Sequence, residues 1–441
     1  MKIDQIAIEI LKELVPKARY ESRGRHISGT DFRNAWNSPI PALSHGLLVA
    51  NLTPPEGFNN LVDALRSMLE PFLALIDGKE HVRTNISMIA ANVGFSTELG
   101  RFAKDVLSAA VLIGPDRTIE LLRSWANGEP IRYTRYTVLS GFRIEGDEQQ
   151  FPVEEGLTIQ SLPKSQNQLL ALGAPEMWAG SPLSTMPPSL GGPDIYGAPV
   201  MVMEMTGGPV FSPADNMLPD NRTVASGAFG FNDPSLQGLT LACDSPVSPS
   251  CAWSRFAADV QSFVPWARST PNSVVLFGGG ERNFAPAPVL THETLGRAID
   301  LAHSIFAHGL GHKTRTALDR WTKSLRGDFA DRFIDLRIAL EALYAPDGGS
   351  GEVSYRLQTR CARHMAKSFD DRMAIVSDVK NFYGTASRFA HGDLVASAGK
   401  SPETKHQRQL ERAQEICRDA LIKIVKENKG QDIDVSHITL A

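Results

Sequence analysis

The sequence predicts an α+β, multidomain protein with a helical N-terminal region, a β-containing middle region rich in proline and glycine, and a C-terminal helical bundle. Two observations support this fold class. Apolar residues recur every three or four positions towards both ends of the chain, a spacing typical of amphipathic helices. Between these ends, β-branched and aromatic runs alternate with Pro/Gly-rich stretches, which favours strands joined by loops. We therefore divide the chain into residues 1–128, 129–290 and 291–441.

The composition is that of an ordinary globular protein, with 42% hydrophobic and 21% charged residues among 441. The sequence contains no apolar run long enough to cross a membrane, and its N-terminus lacks the apolar core of a signal peptide. The four cysteines are sparse and scattered, which fits a reducing compartment rather than a disulfide framework or a zinc site. We therefore expect a cytoplasmic protein with no metal, no cofactor and no membrane partner.

The charge is distributed unevenly along the chain. The net charge of −4 argues against a generic nucleic-acid coat protein. From Arg320 onward, however, 20 Lys and Arg stand against 17 Asp and Glu, so this part carries +3 and the remainder −7. This asymmetry gives weak support for a polyanionic partner near the C-terminal region.

Local patterns predict the elements of the first two regions. Helical spacing of apolar residues predicts helices in the N-terminal region, the second of them kinked at Pro71, and the polar residues 22–37 predict a loop. The middle region is predicted to contain strands, one or two of them in a segment with Gly156 at a turn, and one helix. The predicted N-terminal helices are 6–15, 61–76, 97–112 and 117–125; the predicted strands are 131–139, 151–162 and 273–277; the middle helix is 252–263.

Six helices are predicted towards the C-terminus. Four of them carry an apolar stripe on one face, with Phe306, Met373 and Cys417 among the stripe residues, and the helix at 331–344 is apolar nearly all round. Such stripes are buried when helices pack against one another, which predicts a bundle with a core at 314–428. The predicted helices are 292–307, 314–325, 331–344, 352–368, 372–389 and 406–426.

Three segments of this bundle share their order and spacing with a known family. They are Asp-Arg-Phe-Ile-Asp-Leu-Arg-Ile-Ala-Leu-Glu-Ala-Leu at 331–343, Glu-Val-Ser-Tyr-Arg-Leu at 352–357, and Tyr-Gly-Thr-Ala-Ser-Arg-Phe-Ala-His-Gly-Asp at 383–393. Over the last quarter of the chain they resemble the Apea-like branch of the HEPN superfamily. The resemblance implies an HEPN-like bundle that pairs as a homodimer and acts as a metal-independent endoribonuclease.

The resemblance also implies roles for individual residues. His391 matches the family's proton-transfer histidine, which suits an imidazole because its pKa lies near neutrality. The family's segment reads approximately Tyr-x-x-Arg-Ser-x-x-Val-His-Gly, so anchoring it on Tyr383, Ser387 and His391 places the family's phosphate-holding arginine at Ala386. The nearest arginine, Arg388, is one helical turn from His391 and is expected to hold the phosphate from a displaced position.

Further candidates surround this pair. Glu341, Arg356 and Asp393 are expected to support it. A basic stripe on one helix face either follows an RNA backbone or is an ordinary solvated face. The stripe consists of Arg356, Arg360, Arg363 and Lys367.

The leading hypothesis is an RNA-cleaving effector, of the kind found in antiviral defence or toxin systems, whose preceding regions sense a trigger or a regulatory partner protein. A second hypothesis is that the bundle has lost catalysis, as Ala386 indicates, and serves RNA binding or dimerisation. A third is that the middle region is itself an enzyme.

Overall fold

The computed structural model describes most of the chain, and the chain forms two compact units. The first unit comprises Met1–Val138, Glu154–Gly230 and Ser250–Phe277, and the second comprises Leu139–Val153, Phe231–Pro249 and Gly278–Ala441. The described residues are 2–22, 25–36, 51–88, 91–145, 150–154, 156–165, 168–169, 172, 197–209, 211, 233–257, 275–276, 287–345, 353–392 and 404–435.

The first unit begins with helices and two small antiparallel sheets, whose strand orders are β2-β1-β3 and β4-β5-β6. Amphipathic helices cover one apolar core, because residues such as Leu11, Leu65 and Val106 recur on one face of each helix. The helices are α1 (Ile3–Leu14), α2 (Gly29–Trp36), α3 (Phe58–Leu69), α4 (Leu99–Ile113) and α5 (Pro115–Ala126), and the strands are β1 (Arg19–Ser22), β2 (Arg25–Ser28), β3 (Asn51–Thr53), β4 (Leu73–Ile76), β5 (Lys79–Met88) and β6 (Ala91–Glu98).

Two predictions for this region were wrong in detail. The predicted loop at 22–37 contains β2 and α2. The backbone N–H of Asp31 donates to the Ser28 hydroxyl at 3.1 Å and that of Ser28 donates to the Asp31 carboxylate at 3.4 Å, which caps the start of this helix. The predicted helix at 61–76 ends at Leu69. Pro71 then lies in a short 3₁₀ turn that leads into β4, because proline lacks the N–H that would continue an α-helix.

A larger sheet follows in the first unit, with strands β12, β11, β7, β10 and β9 hydrogen-bonded in that order. Its core stacks Tyr136 on Trp253 with ring centroids 5.1 Å apart. The predicted strand at 131–139 is confirmed, and Gly156 turns the chain between β8 and β9 with a φ of +77°. The strands of this sheet are β7 (Pro130–Ser140), β9 (Leu157–Ser161), β10 (Pro199–Pro209), β11 (Ser248–Phe256) and β12 (Val275–Leu276), and β8 (Gln150–Glu154) precedes β9 along the chain.

The predicted helix at 252–263 was wrong as far as the structure describes it. Its first residues belong to β11, where Ala252 pairs with Val275 and Cys251 with Leu276. The local apolar spacing resembled a helix, but pairing with a strand distant in sequence determined the backbone. The last residues of that predicted helix lie outside the described part of the chain.

The second unit contains helix α6 (Pro234–Cys243) and a C-terminal helical bundle, which confirms the predicted α+β fold class. Helices α6 and α7 approach so closely that a Cβ on Gly238 would lie 2.4 Å from the carbonyl oxygen of Ala298, so only glycine fits there. The bundle consists of α7 (His292–His308), α8 (His312–Ser324), α9 (Phe329–Tyr344), α10 (Val353–Met365), α11 (Phe369–Ala390) and α12 (Thr404–Glu427).

Aromatic rings and apolar stripes fill the bundle core. Phe333 of α9 stacks on Phe382 of α11 with centroids 5.4 Å apart. The stripe predicted on α12 is buried throughout, including Cys417. Phe306 and Met373 were wrongly predicted to be buried and are 82% and 51% exposed. The first lies beside the buried stripe of α7, and the second lies in the first turns of α11, ahead of the residues that pack on the core.

Within the described ranges, no helix combines the length and the apolar character needed to cross a membrane.

Candidate functional site

The C-terminal end of α11 presents the two residues predicted to be catalytic. His391 caps the helix, with its backbone N–H donating to the carbonyl of Ser387 at 3.0 Å. Both Arg388 and His391 are exposed. Residues three apart on a helix are neighbours on its surface. The imidazole and the guanidinium therefore share one solvent-accessible edge, as contact with an RNA phosphate requires.

Ala386, where the resemblance places an arginine, lies on the opposite side of α11. It is 0% exposed and belongs to the bundle core together with Val379 and Phe382. A cation at this position would be surrounded by apolar side chains. Because about 3.6 residues form a turn, Arg388 projects away from this core while Ala386 projects into it.

Glu341, one of the predicted supporting residues, belongs to a polar cluster between α9 and α11. Its Oε1 accepts a hydrogen bond from Arg337 Nε at 2.9 Å and another from the Tyr383 hydroxyl at 2.7 Å. Arg337 also donates to that hydroxyl at 3.1 Å and lies over the tyrosine ring. Burial and the adjacent Glu341 carboxylate raise the pKa of Tyr383. This arrangement fixes α9 against α11.

The structure does not present the basic stripe predicted on α10 as one continuous exposed surface. Arg360 donates to the carbonyl of Tyr344 at 3.0 Å, which satisfies the C-terminal end of α9. Arg356 and Arg363 are partly buried, and Arg356 already has an interaction partner. Lys367 is exposed beyond the last residue of α10.

Asp393, the remaining predicted site residue, lies outside the described part of the chain.

Sequence reasoning missed a second polar group inside the bundle. The hydroxyl of Tyr344, which is 0% exposed, lies 2.7 Å from His364 Nδ1. Lys423 of α12 donates to the backbone carbonyl of His364 at 2.5 Å. Burial, reinforced by the Lys423 charge, lowers the pKa of His364 to about 4. Tyr344 and His364 lie on different helices, so no spacing within one helix indicates their contact.

The low pKa of His364 predicts acid sensitivity of the bundle. An unfolded histidine has a pKa of about 6.5, so the unfolded chain binds more protons than the folded chain below that pH. Stability from this group is therefore fully present above about pH 6.5 and is lost as the pH falls towards 4. In His364→Gln, the amide oxygen accepts the hydrogen bond from Tyr344 and does not titrate. Between pH 6.5 and 4, we expect the free energy of unfolding of this variant to fall by roughly 1–2 kcal/mol less than that of the wild type. Urea unfolding at several pH values measures the difference.

His308→Gln provides the matched control, because His308 is exposed at the end of α7. Its pH dependence is expected to equal that of the wild type. Parallel curves for the wild type and His364→Gln would contradict the assigned role of His364.

Among the described residues, no group of three or more His, Cys, Asp or Glu side chains is arranged to hold a metal ion.

Comparison with protein-family models, with curated proteins and with solved structures found no match to this chain.

Proposed function

We propose that this protein is an RNA-cleaving effector whose C-terminal bundle acts as an endoribonuclease at the end of α11. His391 is the proton-transfer group, and Arg388 binds the phosphate. The observation that supports this proposal is that both side chains are exposed, one helical turn apart, at a helix end. An imidazole titrates near neutrality, and a guanidinium offers fork-shaped donors to phosphate oxygens.

The proposed reaction uses a nucleophile supplied by the substrate. The ribose 2′ oxygen attacks the adjacent phosphorus while His391 accepts the hydroxyl proton. The bond between phosphorus and the 5′ oxygen breaks, and the leaving oxygen takes a proton from water. Arg388 offsets the negative charge that grows on the phosphate oxygens. The products are a 2′,3′-cyclic phosphate and a 5′-hydroxyl end.

The proposal extends to the whole chain by analogy with effectors built in this way. The preceding regions sense a trigger or a regulatory protein, and two copies of the bundle pair as a homodimer, in a defence or toxin-type system.

A second candidate function is a non-catalytic module for RNA binding or dimerisation. The burial of Ala386 favours it, because the position that matches the family's arginine is apolar core in this chain. Glu341 favours it as well, since it accepts the hydrogen bond from the Tyr383 hydroxyl that joins α9 to α11.

Cleavage of tRNA and single-stranded RNA separates the two functions. We expect the wild type to produce 2′,3′-cyclic phosphate ends and His391→Ala to lower the cleavage rate about 100-fold or more. Arg388→Gln is expected to lower it about 100-fold, because a charge-stabilising donor is lost. Matched controls are His308→Ala and Arg101→Gln, which change exposed residues of the same types elsewhere and are expected to leave the rate unchanged.

Cleavage by His391→Ala at the wild-type rate would contradict the mechanism. Wild-type protein that binds RNA without cutting it would overturn the nuclease proposal in favour of the binding module. Wild-type protein that neither binds nor cuts RNA would contradict an RNA function altogether.

A further inference from the structure

Helices α11 and α12 are held side by side at their adjacent ends. Thr385 donates to the side-chain oxygen of Gln409 at 3.0 Å, and Arg412 donates to Asp378 at 3.1 Å. Closer to the end of α11, the ring of Phe389 contacts a histidine ring on α12 with centroids 6.3 Å apart. These contacts fix the first turns of α12 along the last turns of α11.

The position of each residue around α11 follows from these contacts. Thr385 and Asp378 face α12, whereas Tyr383 faces α9. A helix has about 3.6 residues per turn. Going around α11 from the side that faces α12 towards solvent, Arg388 therefore comes first and His391 second. Arg388 is therefore placed between α12 and the proposed catalytic imidazole.

The first turns of α12 add two cations beside Arg388. Lys405, Arg408 and Arg412 recur at helical spacing, so they share one side of α12, and Arg412 shows that this side borders α11. Lys405 and Arg408 are exposed. Within the ranges that the structure describes, neither they nor Arg388 make an ion pair, whereas Asp378 and Glu415 neutralise Arg412.

We propose that Arg388, Lys405 and Arg408 form a basic track that binds the backbone phosphates of single-stranded RNA and leads the strand to His391. This inference rests on the proposed function and specifies where its substrate lies. These three cations, which make no ion pair with another described residue, complement a polyanion. A single strand fits better than a duplex, because its backbone can be splayed over the surface of two helices. The track replaces the stripe predicted on α10, where Arg360 is engaged in the fold.

The test measures binding of the full-length protein to a fluorescent oligouridine RNA at several KCl concentrations. Each phosphate contact to a single strand contributes about 0.7 to the slope of log affinity against log salt. We expect Lys405→Gln with Arg408→Gln to reduce the magnitude of this slope by about 1.4 and to weaken binding most at low salt. The matched control is Arg363→Gln with Lys367→Gln on the α10 side, which is expected to keep the wild-type slope.

Circular dichroism of each variant checks that the exposed changes leave the fold intact. An unchanged slope in the Lys405/Arg408 double variant would overturn the track while leaving His391-dependent cleavage untouched. A reduced slope in the control variant alone would place the RNA along α10 and would also overturn the proposed track. If binding to polyglutamate weakens as much as binding to RNA, the surface is a general polyanion site, and the assignment to RNA is wrong. Failure of the wild type to bind any RNA contradicts the proposed function itself.

Discussion

Replacing Ala386 with arginine is expected to destabilise the bundle by about 3–5 kcal/mol. The variant is not expected to gain a phosphate-binding arginine, although the family that the bundle resembles has an arginine at the matching position. Ala386 is 0% exposed within the bundle core, so an arginine there would lose its hydration without gaining a partner. Its extra volume would also force apart the rings packed against α11, among them Phe382. RNA cleavage by the variant is therefore expected to fall. Urea unfolding followed by helical circular dichroism measures the first effect, and the RNA cleavage assay measures the second.

The helix supplies its own control four residues later. Ala390 is exposed at the end of α11, so Ala390→Arg introduces the same side chain at a solvated position. Its effect on the free energy of unfolding is expected to remain within about 0.5 kcal/mol. A stable and more active Ala386→Arg variant would show that position 386 opens onto the substrate and would contradict the burial described above.

Truncating Trp321 to alanine is expected to cost about 3–5 kcal/mol in the free energy of unfolding of the bundle. Its ring is 0% exposed, and its Nε1 donates to the carbonyl of Gln414 at 3.0 Å. Gln414 in turn donates to the carbonyl of Ser324 at 2.6 Å, so the ring belongs to a buried network that joins α8 to α12. Removing it leaves both a cavity and an acceptor without its donor.

Trp321→Phe separates these two contributions. Phenylalanine keeps a large part of the apolar ring but loses the indole N–H together with the fused five-membered ring, so a smaller loss of about 1–2 kcal/mol is expected. Chemical denaturation of both variants measures the comparison. Equal losses would show that the hydrogen bond, and not the packing, provides the stability.

Local periodicity predicted much of the fold. On α12, the stripe through Ala413 and Cys417 is buried as expected, because the spacing of a helix is set by the helix itself. Periodicity was less reliable where a strand depends on a distant partner. The part of β11 from Ala252 onward was predicted to begin a helix, because its pairing with Val275 leaves no trace in its own spacing.

The candidate site divides in the same way. The sequence identified His391 and Arg388 as neighbours on one helix, and the structure places both at an exposed end. The sequence did not indicate that Glu341 hydrogen-bonds with Arg337 and Tyr383, because that cluster joins two helices.

By itself, the sequence determined that this protein combines strands with a C-terminal bundle of amphipathic helices, and which residue types carry the candidate chemistry. Only the tertiary structure decided that Ala386 faces the core, that Arg360 is engaged at the end of α9, and that Lys405 and Arg408 lie on the α12 side of Arg388. The physical reason is that helical spacing is a property of neighbouring residues, whereas burial and charge compensation depend on which segments, distant along the chain, pack together.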